Sequence, residues 1–129
     1  MSRERDDGAA VVEFVLISVL LVLLLFGVLQ VAVYFYARNI VAASAADAAR
    51  YAAAAGVSPS AGAARAEQLI RDGLGGADIT CTSGPGVDAG SGLPVTTVHC
   101  TGTVRALLAP VDIPLHLDLR SSALKETTP

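Results

Sequence analysis

From Phe14 to Ala37 the chain is apolar except at Ser18, Gly27 and Gln30. About 20 such residues suffice to carry a helix across a bilayer, so this run dictates a membrane helix around which the rest must be arranged. A secretory signal has a shorter apolar core, about 7–15 residues, followed by a small-residue cleavage site. The length of the run makes it a retained anchor. Ala43-Ser44-Ala45 supplies the small residues that the alternative, a domain released after Ala45, requires. The 129 residues, 53% of them apolar and 16% charged, leave room for this helix and one small domain.

A carboxylate stands at the head of the run, in Val11-Val12-Glu13-Phe14-Val15. A charge within or at the edge of hydrocarbon costs roughly 2 kcal/mol or more, which marks Glu13 as a functional candidate. Otherwise it snorkels to the headgroups. The charged head Arg3-Glu4-Arg5-Asp6-Asp7 precedes it and ends at Gly8. A cut between Gly8 and Ala9 would place a new amine at the helix start and make Glu13 the fifth residue.

Charge alone does not orient the anchor, because Arg3 and Arg5 before it balance Arg38 and Arg50 after it. The only cysteines, Cys81 and Cys100, form an even pair on a small domain, the pattern of an extracytoplasmic disulfide. The N-terminus is therefore expected in the cytoplasm and the C-terminal domain outside. With a net charge of −3, nothing points to nucleic acid as a partner.

The helix is expected to continue past the bilayer. Tyr34, Phe35 and Tyr36 form an interfacial aromatic cluster, and an alanine-rich segment follows as far as Ala55, with Gly56 and Pro59 as the stop. A helix from about Ala9 to Ala55 would be roughly 70 Å long. Its outer half has two faces. Asn39, Ser44, Asp47, Arg50 and Tyr51 share one arc, while Val41, Ala42, Ala45, Ala48, Ala49 and Ala52 form a small-residue strip opposite. Such a strip admits close packing, either of the protein's own sheet or of neighbouring helices in a filament.

Beyond a short amphipathic helix, about Gly62 to Leu74, the glycine pair Gly75-Gly76 marks a change to period two. Ala77, Ile79 and Cys81 alternate with polar residues, as do Val98, Cys100 and Val104, and then Val111, Ile113, Leu115, Leu117 and Leu119. These are three half-buried strands. Pro114 suits an edge, and Gly84 to Gly92 reads as a mobile hairpin loop. The cysteines lie on the apolar faces of their strands, so a cross-strand disulfide is sterically reasonable. After Ser121 the chain reads as frayed.

Catalytic and cofactor patterns are missing from the sequence. The glycine-rich loop has no lysine after its last glycine, and no nucleophile elbow occurs. His99 and His116 sit on polar strand faces without close-spaced metal ligands. No enzyme activity, metal or cofactor is expected.

Taken together, Gly8-Ala9-Ala10-Val11-Val12-Glu13-Phe14, the long Leu/Val run, Phe35-Tyr36-Ala37-Arg38-Asn39 and Ala48-Ala49-Arg50-Tyr51-Ala52 resemble the TadE-like family. These are minor pilin-like proteins of the tight-adherence (Tad, or Flp) pilus system, and the resemblance covers about residues 7–55. Two departures make this helix more uniformly apolar. Ile17-Ser18-Val19 replaces a proline found in many members, and Gln30-Val31-Ala32-Val33 replaces a segment that usually holds an acid and an arginine.

The resemblance implies an α+β pilin-like protein: a prepilin-type leader (1–8), a transmembrane part (9–37), an extramembrane continuation of the helix (38–56), a small domain (57–121) and a flexible tail (122–129). It implies processing at Gly8 and Ala9 by a prepilin peptidase and assembly through Glu13 and Phe14. Its partners would be other pilin-like subunits, the Tad assembly machinery and membrane lipid. Glu13 would neutralise the N-terminal amine of an adjacent subunit. The competing expectation is an uncleaved single-pass anchor presenting a small extracytoplasmic binding domain.

Overall fold

The computed structural model describes residues 3–75, 77–105 and 114–127. Gly76, the expected strand residues Val111 to Ile113, and the last two residues of the expected tail lie outside them. Two compact units follow one another along the chain, Met1–Val33 and Tyr34–Pro129.

Helix α1 (Arg3–Ala53) begins within the charged head rather than at Ala9. Asp7 favours that early start, because a carboxylate near a helix N-terminus opposes its positive dipole end. Within the first unit the helix meets the length and composition test for a membrane span. Its most apolar 18-residue window has a mean hydropathy of 3.0 and none of it is buried in protein. Phe14 is 71% exposed and Leu24 61%, an apolar surface that lipid or a neighbouring helix would cover. Among the described residues it is the one helix long and apolar enough to cross a membrane. Ser18 is accommodated because its hydroxyl donates to the Phe14 carbonyl at 2.8 Å, within the helix's own turn.

The second unit contains the outer end of α1, helix α2 (Ala61–Leu74) and strands β1 (Asp78–Val87), β2 (Pro94–Val104) and β3 (Leu115–Leu124). The strands form one antiparallel sheet in the order β1-β2-β3. Period-two alternation gives the sheet two faces. One carries Cys81, Val98, Cys100 and Leu117, which join Ala37, Val41, Ala45, Ala48 and Ala49 of α1 and Ala66 and Ile70 of α2 in a single core. The small-residue strip therefore packs on the protein's own domain. Gly62 shows how close that packing is. A β-carbon there would lie 2.9 Å from Val98 Cγ2 and 3.2 Å from Ala52 Cβ.

Two side chains on α1 depart from the expected faces. Ser44, placed in the polar arc, is 6% exposed, whereas Ala42, placed in the strip, faces outward. The core subtends an arc that takes in Ala37 and Ser44 on one side and misses Ala42 on the other. Asp47 and Tyr51 of the polar arc meet α2. Arg65 Nε lies 3.4 Å from Asp47 Oδ2, and its guanidinium stands 5.9 Å from the Tyr51 ring centre.

The Gly84–Gly92 segment is more ordered than its composition indicates. β1 runs on through Val87, leaving a short turn. Ser91 donates to Asp88 Oδ2 from its amide at 2.9 Å and from its hydroxyl at 2.7 Å. The Ser91 hydroxyl, then its amide, hold the Asp88 carboxyl below its ordinary 3.8. The stabilisation is therefore present above that value and is lost as pH falls through the lowered one.

The chain does not fray after Ser121. β3 continues to Leu124, because Lys125 is drawn onto the end of α1. Lys125 Nζ donates to the carbonyls of Ala52 (3.1 Å), Ala54 (3.0 Å) and Val57 (2.7 Å). The Ala52 carbonyl lies in the last turn of α1, with no further turn to satisfy it, and a cation there also meets the negative dipole end. The Glu126 amide donates to Ala53 O at 2.9 Å. Lys125→Met keeps the aliphatic stem and removes the donors. It is expected to lower the stability of the second unit by about 2 kcal/mol, read as a shift in its urea midpoint. An unchanged midpoint would show the cap to be dispensable.

Candidate functional site at the head of the membrane helix

Gly8, Ala9, Glu13 and Phe14 all lie on α1 and are exposed. The four-residue spacing puts Ala9 and Glu13 on one helix face, one turn apart. Gly8 has no heavy atom within 4 Å of the place its β-carbon would occupy, so no side chain crowds this position. A glycine inside a helix weakens it by about 1 kcal/mol relative to alanine, which makes this junction the easiest point of the helix head to open. Glu13 sits one turn further on, surrounded in sequence only by apolar residues until Ser18. This arrangement can present a peptide to a membrane-embedded protease and a carboxylate to a cation.

The sheet domain carries a disulfide on one face and a polar groove on the other. Cys81 and Cys100 face each other in register, with Cα atoms 4.1 Å apart, and are joined as a disulfide. Both are buried. On the opposite, polar face a shallow groove is lined by Thr82, Ser83, Gly84, Pro85, Thr97, His99 and Arg120. His99 is not simply solvent-facing. It is half-buried, and its Nε2 lies 2.8 Å from Asp118 Oδ1, while His116 is exposed. Alternation alone could place His99 and Asp118 on one face, but only the β2–β3 register brings them together. Among the described residues no group of three or more His, Cys, Asp or Glu side chains could hold a metal.

Residues 8–50 match the family model for TadE-like protein, about a third of the chain, from the Gly8 junction through the outer alanine strip. The N-terminal segment is thus similar to TadE-like proteins, and the sheet domain lies outside the matched region. No curated protein and no solved structure matches this chain.

Proposed function

We propose that this chain, TadE-like over residues 8–50, is a non-enzymatic minor pilin-like (pseudopilin) subunit that takes part in assembling a Tad/Flp pilus. The observation that carries the reading is the position of the match. It contains the Gly8–Ala9 junction, Glu13 and the exposed apolar run from Phe14 to Ala37. In this reading a prepilin peptidase removes residues 1–8 at the cytoplasmic membrane. The helix, freed of its charged head, then packs with other pilin-like subunits. The disulfide supports an N-in topology, with the sheet domain on the oxidising side.

The mature chain is expected to begin at Ala9, and Gly8→Leu to stop maturation, because a branched side chain would obstruct the open peptide. Intact-mass measurement of protein extracted from membranes checks both. Only uncut chain, in cells with an active prepilin peptidase, would overturn the processing step and favour an uncleaved anchor that presents the sheet domain.

A further inference from the structure

Both helices pack on one face of the sheet, and no helix residue lines the polar groove on the other. On that face Thr82, His99 and Arg120 stand in one row across the three strands, with Gly84, Thr97 and Ser122 in the next. Gly84 is what makes the depression. It sets no side chain beside Thr97, and a β-carbon added to it would meet nothing within 4 Å. The groove holds about 240 Å³, just below the volume of a drug-sized pocket and enough for one sugar ring.

The charges around this groove do not cancel. No carboxylate lines it, in a chain whose net charge is −3. Asp118 shares the face with Arg120 but gives its Oδ1 to His99 Nε2 at 2.8 Å. Arg120 makes no ion pair among the described residues, so its guanidinium is an uncompensated cation beside the groove. The contact with Asp118 also fixes the imidazole through one nitrogen and leaves Nδ1 free. In a neutral ring whose Nε2–H donates to Asp118, Nδ1 is an acceptor.

We infer that this groove binds one uronic-acid unit of an acidic polysaccharide. The Arg120 guanidinium is a planar fork of donors, matched by a carboxylate in two parallel hydrogen bonds. His99 Nδ1 accepts from a ring hydroxyl, and the Thr82 hydroxyl donates to or accepts from another. The Pro85 ring meets the C–H face of the sugar. A uronic acid carries its carboxylate and hydroxyls on one rigid ring, so little freedom is lost on binding. An acidic peptide holds its carboxylate on a flexible stem that has to be ordered. The groove is shallow, so a polymer continues past it in both directions. It lies on the face opposite α1, and an assembly packed through that helix, as proposed above, leaves it accessible.

Isothermal titration of the full chain in detergent micelles with trigalacturonate is expected to show saturable binding at one site per chain. Galactotriose, its neutral counterpart, and triglutamate should each bind about tenfold more weakly or worse. Arg120→Gln removes the charged fork and should cost about tenfold or more. Gly84→Val keeps every charge and puts a branched side chain into space that is empty in the fold. It should cost as much, whereas a nonspecific attraction of charge would survive it. On the unaltered chain, the amide resonances of Gly84, Thr97, His99 and Arg120 should move during the titration, a readout that needs no variant to fold. Absence of trigalacturonate binding, equal binding of galactotriose or triglutamate, or indifference to Gly84→Val would overturn the inference. Piliation plays no part in these measurements, so their failure and that of the assembly reading are distinguishable.

Discussion

Cys81→Ala combined with Cys100→Ala is expected to lower the stability of the sheet domain by about 3 kcal/mol, the chain-entropy value for a loop whose ends are 19 residues apart. Both sulfurs also fill space in the core, where Cys81 is 5% exposed and Cys100 fully buried, so truncation adds a packing loss. In a unit this small that loss corresponds to a fall in Tm of more than about 10 °C. Thermal unfolding of extracted protein, followed by its β-sheet circular dichroism, measures the effect. Alkylation before and after reduction tests the topology behind it. Two free thiols in protein from the native envelope would remove the argument that the domain is exported, whatever the variant's Tm.

The disulfide also shows what the sequence makes legible. Two cysteines on the apolar phases of two period-two runs predict a cross-strand pair, and the register places them face to face. The membrane helix, the short α2 and the sheet are legible for the same reason: each is set by a local period that survives without its partners. Glu13, Gly8 and Ala9 are conspicuous because they break such a pattern.

The features the sequence hides depend on distant partners. Ser44 is buried because Ala37 and Val41 turn that side of α1 toward the core, a rotation of less than one residue's arc. Lys125 reads as part of a tail frayed from residue 122 until the carbonyls of Ala52, Ala54 and Val57 come within reach. His99 and Asp118 share a face by alternation, but they meet only when β2 and β3 are set in register. The glycines between Gly84 and Gly92 indicate a loop by composition. Pairing with β2 nevertheless extends β1 through Val87. Pro85 is tolerated there because the alternation that turns the Cys81 amide to the outer edge turns position 85 the same way.

Glu13→Ala is expected to abolish or severely reduce piliation while leaving the protein inserted and processed. The structure places Glu13 on an exposed, apolar stretch of α1, outside the core formed among the described residues. Its removal therefore has no route to unfolding the sheet domain. Insertion should become slightly easier, because the apolar run gains length and loses a charge. Cleavage, which depends on Gly8 in this reading, should proceed. Assembly is different: an N-terminal amine drawn among packed helices without its carboxylate is an uncompensated buried charge, at about 3–5 kcal/mol. That exceeds a hundredfold in an association constant, enough to stop a step that repeats with every subunit. Complementation separates the terms, with membrane level and mature mass unchanged and pili per cell collapsed. If a strain relying on Glu13→Ala carried normal pili, the carboxylate would be one that merely reaches the headgroups. The assembly role would then have to rest on the apolar surface of α1 alone.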